Sequence, residues 1–177
     1  MVFIETGLSG AVIVDVERHT DERGFFARSW CTREFQERGL NPLVVQCNVS
    51  GNAAKGTLRG MHYQLAPHAE VKLVRCTKGA IYDVIIDLRE TSPTFLRHVG
   101  VELTAANHRA LYISEGFAHG FMTLQDDSEV FYQMSAFYEP SAARGVRWND
   151  PAFGIKWPLP VTVISKRDQE LPDFNPV

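Results

Sequence analysis

Three side chains that can bind an anion or move a proton lie within six residues of one another, at Arg59, His62 and Gln64. A histidine that is neutral near pH 7 suits a general base, and a guanidinium group suits a phosphate. If this segment is a strand, alternation places His62 and Gln64 on one face and Arg59 on the other, unless Gly60 carries a bulge that brings Arg59 round. An isolated histidine is more often a hydrogen-bonded core residue, so a structural role for His62 stays open.

A second histidine, His119, follows the turn at Glu115-Gly116 and enters an aromatic segment. Taken alone, His119 fits a structural role as well as a functional one. A buried carboxylate such as Asp83 could orient a histidine, or it could be satisfied by backbone donors. Asp168 also has two interpretations. It supports a catalytic histidine, or it caps a short helix, and the sequence alone favours the cap.

Three ionisable side chains fall on faces of predicted strands that are otherwise apolar: Lys72, Asp83 and Tyr132. A barrel whose interior forms a lined cavity would explain all three. Tyr132 on such a wall suits a proton donor, and the alternative is a core tyrosine with a hydrogen-bonded hydroxyl group.

Cationic and aromatic residues elsewhere suit a nucleotide. Arg23 is followed by Gly24 and two phenylalanines, the second being Phe26. This pattern is typical of a nucleotide site, in which the guanidinium group binds a phosphate and an aromatic ring stacks on the base. A charged turn that leads into a strand would show the same pattern. Tyr138, just before Pro140, either stacks on a planar ligand or covers the core.

The composition indicates one domain spanning residues 1–177. The formal net charge is −3, which gives no excess of cations for a nucleic-acid backbone. Three cysteines with no CxxC pair favour a reducing cytoplasm over a disulfide framework. The sequence shows no signal peptide and no stretch apolar enough for a membrane span, so we expect a soluble, cytoplasmic protein.

Short segments rich in β-branched and aromatic residues predict nine strands: Ala11–Val16, Leu43–Ser50, Thr57–Gln64, Val71–Thr77, Ala80–Leu88, His98–Leu103, Arg109–Ser114, His119–Leu124 and Glu129–Phe137. One helix is predicted at Thr32–Arg38, with Thr32 as N-cap and Gly39 as its stop. The prediction is an all-β sandwich or barrel, around which the proline-rich part after Trp157 wraps as loops and short turns.

Several motifs occur in one order along nearly the full chain: Asp21–Phe26, Gln46–Ser50, Gly56–Gln64, Lys72–Cys76, Tyr82–Arg89, Gly116–Phe121, Tyr132, Arg147–Pro151, Lys156–Pro158 and Ser165–Asp168. Each motif is weak alone. The ordered set closely resembles one family, the dTDP-4-dehydrorhamnose 3,5-epimerases, which are cupin-type enzymes. The resemblance implies an all-β, cupin-like antiparallel β-barrel or jelly roll with a few short helices.

The resemblance also implies catalytic roles in epimerisation at C3 and C5 of a nucleotide-linked 4-keto-6-deoxyhexose, most simply a dTDP sugar. His62 resembles the general base of the family and Asp168 its partner. Tyr132 resembles the general acid on the opposite face of the sugar. Lys72 resembles the cation near the developing enolate.

The remaining site residues resemble the family's substrate contacts. Their implied roles are substrate and phosphate binding by Arg59 and His119, nucleotide-sugar contacts by Arg23, Gln46 and Asn48, and base stacking by Tyr138. The resemblance further implies a homodimer in which N-terminal residues, including Arg23 and Phe26, reach the neighbour's pocket, so that N-terminal strands are exchanged.

The chain departs from the family pattern at Arg28 and Ala143, where the family has glutamate, and at Ser114, where it has proline. The first two positions lie near the nucleotide in the family, so the identity of the nucleotide and of the sugar stays open. The alternatives are a mono-epimerase, an epimerase of another nucleotide sugar, and a non-catalytic carbohydrate-binding cupin.

The resemblance implies no metal and no organic cofactor. Metal-binding cupins use a His-x-His pair and a later histidine, whereas this chain has His62-x-Gln64. Two imidazoles and an amide make a poor site for zinc or iron. A metal-dependent cupin oxygenase or isomerase is therefore the weaker interpretation.

Overall fold

A computed structural model describes residues 1–175 of the protein. Two antiparallel sheets face each other and enclose its hydrophobic core. The elements are β1 (Val2–Glu5), β2 (Ala11–Asp15), β3 (His19–Asp21), β4 (Gly24–Phe26), α1 (Thr32–Gln36), β5 (Gln46–Asn52), β6 (Thr57–Gln64), β7 (Lys72–Lys78), β8 (Ala80–Asp87), β9 (His98–Thr104), β10 (Ala110–Ile113), β11 (Phe117–Thr123), β12 (Ser128–Met134), β13 (Ala143–Gly145), β14 (Val163–Ile164) and α2 (Lys166–Gln169).

The first sheet has the strand order β1-β2-β10-β7-β12-β5, and the second has the order β13-β6-β11-β8-β9. The short strand β14 runs parallel to β6, pairing Val163 with Thr57, and β3 and β4 form a separate hairpin. The predicted all-β class is confirmed. All nine predicted strands are present, with ends that differ by a few residues.

Alternation within the strands fills the space between the sheets. The central cluster takes Val74 and Val130 from the first sheet and Ile81, Ile85 and Phe121 from the second, each at most 3% exposed. Lys72, Asp83 and Tyr132 share these faces, as the sequence predicted. The inner faces are therefore apolar in the middle and carry ionisable groups where the barrel opens.

The outer faces are covered by the rest of the chain. Phe35 of α1 is fully buried against Leu73 and Tyr112 of the first sheet. The segment after Trp148 covers the second sheet through Phe153, Trp157 and Phe174. The predicted wrapping of the part from Trp157 is confirmed, but this part contains β14 and α2 in addition to loops. No helix within residues 1–175 has the length and apolar character needed to span a membrane.

The predicted helix is shorter than expected, and Thr32 is not its N-cap. Cys31 occupies that position and makes no side-chain capping bond, so Thr32 is the first helical residue. Gly39 does end the turn, with φ of +68°, a conformation that glycine adopts without steric cost. The hydrogen bond from Leu40 N–H to Phe35 O closes the end of this segment.

A buried carboxylate, Asp87, orders the loop between β8 and β9. It accepts hydrogen bonds from the side chains of Arg89, Ser92 and Thr94. Burial by itself raises the pKa of Asp87, but these donors outweigh it and lower the pKa to about 2. The Arg89 guanidinium also lies over the Phe117 ring, so the loop is tied to the start of β11.

We predict that Asp87→Asn lowers the free energy of unfolding by about 2 kcal/mol at pH 7, because the donors lose an ionised acceptor. The folded pKa lies below the unfolded value of 3.8, so this contribution is complete above about pH 4 and is lost as the pH falls towards about 2. Urea unfolding of both proteins at pH 7 and pH 2.5 (about the middle of this window) measures the effect. A difference that stays constant between the two pH values would contradict it, and Asp127→Asn in an exposed turn is the control.

Candidate active site

A cavity of about 540 Å³ lies between the two sheets and brings most of the predicted site residues together. Those that line it are Gln46, Asn48, Arg59, His62, Lys72, His119, Tyr132, Tyr138 and Asp168. The volume falls in the range of sites for small molecules. The cavity therefore joins residues that are up to about 120 positions apart in the sequence.

The glycine at position 60 allows Arg59 and His62 to share this cavity. Along β6 and β11 the register pairs His119 with His62 and Phe121 with Arg59, so β6 contains one additional residue. The predicted bulge is thus confirmed. It turns Arg59 to the side of His62, which strict alternation would not do.

His62 is held by a carboxylate from the far end of the chain. Its Nε2 lies 2.7 Å from Asp168 Oδ1, and Gly60 N–H donates to Asp168 Oδ2 at 3.3 Å. With Nε2–H donated to the carboxylate, Nδ1 of a neutral imidazole is left as the proton acceptor. The side chain of His62 is 41% exposed, so this nitrogen belongs to an accessible ring.

The interpretation of Asp168 as a helix cap is wrong. Ser165 is the N-cap of α2, and its Oγ accepts the hydrogen bond from Asp168 N–H at 3.1 Å. The parallel pairing of β14 with β6 brings α2 against β6, and the carboxylate then meets His62. Burial raises the pKa of Asp168, but the hydrogen bond and charge of His62 oppose this, and the pKa ends below its usual value.

His119 lies opposite His62 on the neighbouring strand and has a carboxylate of its own. Its Nε2 is 2.8 Å from Asp83 Oδ1, and both side chains are buried. Of the two interpretations of Asp83, the contact with a histidine is confirmed, and that histidine is His119. Two imidazoles, each fixed by an aspartate, therefore stand side by side on the wall formed by the second sheet.

The facing wall, formed by the first sheet, carries Tyr132 and Lys72. They come from β12 and β7, which are paired so that Tyr132 faces Val74 and Met134 faces Lys72. Lys72 Nζ is 2.9 Å from Glu70 Oε1 and 3.4 Å from the backbone oxygen of His62. A proton acceptor and a phenol thus lie on opposite sides of one cavity.

Sequence reasoning missed Glu70, Arg144 and Arg167, which also line the cavity. Glu70 had a visible signal, since it lies two residues before Lys72 and alternation assigns both to one face. The two arginines lie within short elements that show no regular pattern, Arg144 in β13 and Arg167 in α2. They add positive charge to a cavity that already contains Arg59.

The polar residues at the mouth are joined by hydrogen bonds. Gln46 Nε2 donates to Asn48 Oδ1 at 3.1 Å, and Tyr138 N–H donates to Gln46 Oε1 at 3.3 Å. Arg59 Nε donates to Asn52 Oδ1 at 2.7 Å. Tyr138 is 53% exposed, so its side chain lies at the edge of the cavity and does not fill it.

Arg23 and Phe26 do not join this cavity within one chain. Both lie on the β3–β4 hairpin, where Arg23 pairs with Asp21 and Phe26 is 74% exposed. Arg28 lies beyond this hairpin and pairs with Glu34 at 2.9 Å. Among residues 1–175, no group of three or more His, Cys, Asp and Glu side chains is arranged to hold a metal ion.

An all-β barrel with a carboxylate-held histidine facing a tyrosine and a lysine defines a site for proton transfer. Comparison with known proteins gives a match to the family model of dTDP-4-dehydrorhamnose 3,5-epimerase over residues 5–176. A dTDP-4-dehydrorhamnose 3,5-epimerase of Shigella flexneri is 44% identical over 169 residues, covering 95% of this chain and 93% of that protein.

Solved structures of this family have the same fold. That of the Elizabethkingia anophelis enzyme matches with a TM-score of 0.96 and 38% identity, covering 98% of this chain and 96% of the other. That of the Bacillus anthracis enzyme, with TDP and PPi bound, matches with a TM-score of 0.94 and 41% identity, covering 98% and 99%. The chain belongs to the dTDP-4-dehydrorhamnose 3,5-epimerase family, and its fold is cupin-like.

We predict that Gly60→Ala destabilises the protein by about 1 to 3 kcal/mol. Gly60 has φ of +133°, and a Cβ atom there would lie 2.5 Å from Gly120 Cα and 3.0 Å from His119 O. Relief of these contacts would separate β6 from β11. Denaturant unfolding measures the change.

The matched control is Gly24→Ala, which has a similar positive φ, +123°, but has no neighbouring atom within 4 Å of the added Cβ. It is expected to lose about 1 kcal/mol, for the backbone conformation alone. Equal losses for the two variants would show that the close approach of the strands adds nothing.

Proposed function

We propose that this protein epimerises C3 and C5 of a nucleotide-linked 4-keto-6-deoxyhexose, converting dTDP-4-dehydro-6-deoxy-D-glucose into dTDP-4-dehydro-L-rhamnose without a cofactor. Membership of the epimerase family supports the reaction. The observation that carries it is the position of the His62–Asp168 pair on one wall of the cavity and of Tyr132 on the other.

The chemistry needs a base and an acid on opposite faces of the sugar. The C4 ketone makes the hydrogens at C3 and C5 acidic. In this proposal His62 removes a proton from one of these carbons, and the electron pair moves to the C4 oxygen to give an enolate. Tyr132 returns a proton to the same carbon from the other face, which inverts it. The imidazolium and the phenolate then exchange protons with solvent before the second centre reacts.

Asp168 and Lys72 support these steps electrostatically. The pKa of Asp168 is below its usual value, so the carboxylate is ionised near neutral pH and stabilises the imidazolium that forms. Lys72 supplies positive charge where the C4 oxygen becomes negative. Charge that is fixed in place before the reaction needs no reorganisation in the transition state.

We propose that the polar and cationic mouth of the cavity binds the nucleotide. Arg59 and His119 suit the phosphates, Gln46 and Asn48 offer amide groups, and Tyr138 offers a ring for the base. The related Bacillus anthracis enzyme was solved with TDP and PPi bound, which supports a thymidine diphosphate.

We also propose a homodimer in which Arg23 and Phe26 act in the neighbour's cavity. Both are exposed in one chain, on a hairpin whose strands are exposed throughout. An exposed phenylalanine pair beside an arginine is suited to burial against a second copy. The cytoplasm is the proposed location, supported by cysteines that are all free thiols.

We predict that the purified protein incorporates deuterium at C3 and C5 of dTDP-4-keto-6-deoxyglucose in heavy water. Both protons are exchanged if enolates form at both carbons. NMR or mass spectrometry of the sugar measures the label. Label at one carbon only would identify a mono-epimerase, activity only with another nucleotide would change the substrate, and ligand-dependent stabilisation without label would indicate a binding protein.

Substitution of the proposed base and acid should separate exchange from inversion. His62→Ala is expected to abolish exchange, since no group then removes the proton. Tyr132→Phe is expected to impair inversion more than exchange, because the enolate still forms and recaptures a proton on the His62 side. Each general acid or base is worth about 10²- to 10⁴-fold in rate. Mild and equal effects of the two substitutions would refute these roles.

The exchange of Arg23 between subunits predicts complementation. His62→Ala and Arg23→Ala homodimers, unfolded and refolded together, should regain about a quarter of wild-type activity at low substrate concentration, since each mixed dimer then has one intact site. Separately refolded variants are the control. Mixtures that remain as inactive as the separate variants, although mixed dimers form, would place Arg23 in the site of its own chain.

A further inference from the structure

Glu70 is a buried carboxylate of the cavity wall that has no part in the reaction as proposed so far. It lies just before β7, its side chain is 5% exposed, and its Oε1 lies 2.9 Å from Lys72 Nζ. Its second oxygen, Oε2, is buried without a hydrogen-bond partner in the described part of the chain. Such a pair contributes little to stability, because both groups lose their hydration. Stability alone therefore gives no reason for a charge at this position.

The contacts of Lys72 suggest what the carboxylate does. A lysine ammonium group has three N–H donors on a flexible four-carbon stem. The Nζ atom forms an ion pair with Glu70 Oε1 at 2.9 Å and donates to the backbone oxygen of His62 at 3.4 Å. These two contacts, with different segments, define the position of Nζ and leave a third N–H donor for a ligand in the cavity.

We infer that Glu70 is a positioning residue for Lys72 and thereby for the enolate oxygen, an inference that rests on the proposed epimerisation. Its Oε1 holds the ammonium group beside the His62 backbone, and its negative charge balances the ammonium charge while the cavity is empty. When charge develops on the C4 oxygen, the third N–H donor of Lys72 is already in place to meet it. Glu70 itself touches no reacting atom.

The position of Glu70 predicts which kinetic parameter it controls. Nucleotide contacts at the mouth of the cavity come from other residues, so Glu70 should influence the chemical step more than substrate binding. In metal sites, loss of a group that orients a ligand typically reduces activity about 10- to 100-fold, and we expect an effect of this size for Glu70. A residue that merely fills space would give a normal kcat when replaced by a side chain of the same shape.

The test compares wild type with Glu70→Gln, which keeps the shape and an acceptor oxygen but removes the charge. We expect kcat to fall about 10- to 100-fold while KM changes less than about twofold. The rate of deuterium incorporation at C3 and C5 should fall by a similar factor, because enolate formation is the affected step. Glu70→Asp, which keeps the charge but is one methylene shorter, should retain more activity than Glu70→Gln.

The control is Glu129→Gln. Glu129 accepts a hydrogen bond from the Thr77 hydroxyl group at 2.7 Å and lies outside the cavity lining, so wild-type kinetics are expected. Thermal unfolding of all variants verifies that they fold. If Glu70→Gln does not fold, Glu70→Asp carries the test, with a reduced kcat expected at an unchanged KM.

Two failures can be told apart. If wild type itself exchanges no deuterium, the proposed function fails, and this inference fails with it. If wild type exchanges deuterium and the folded Glu70 variants do so with wild-type kcat or faster, the inference alone is overturned.

Discussion

An apolar barrel interior accepts a charge only if the charge has a partner, and this constraint shapes the whole site. Three carboxylates in this interior each have one nitrogen-containing side chain as a partner: Asp168 with His62, Asp83 with His119, and Glu70 with Lys72. In each pair the two atoms are 2.7 to 2.9 Å apart. Pairing fixes the nitrogen groups and offsets the cost of bringing them out of water.

The two sheets give these pairs their directions. His62 and His119 belong to neighbouring strands of the second sheet, whereas Lys72 and Tyr132 belong to neighbouring strands of the first. A ligand between the sheets therefore meets the imidazoles on one side and the phenol on the other. Inversion of a carbon centre by a separate base and acid requires groups on opposite faces of that carbon. In this barrel, the pairing of the strands within each sheet places them there.

The sequence predicted the strands because alternation and residue type are local properties. Alternation also assigned Lys72 and Tyr132 to the inner face, whereas Arg59 enters the cavity only through the bulge at Gly60. Other cavity residues, such as Gln46 and Asn48, were implied by the family resemblance and not by their strands. The role of Asp168 was not predictable in that way, because its contact with His62 spans 106 positions and depends on the two-residue strand β14. The strands β3, β4, β13 and β14 have two or three residues each, too few to show a period.

The proposed reaction requires that a sugar in this cavity has His62 on one face and Tyr132 on the other. A crystal structure with a dTDP-linked 6-deoxyhexose that lacks the ketone, and so does not react, would reveal this arrangement. We expect His62 Nδ1 and Tyr132 Oη on opposite faces of the ring, within about 3.5 Å of C3 or C5, and Lys72 Nζ beside the C4 substituent. Both groups on one face of the ring, or a hexose bound outside the cavity, would contradict it.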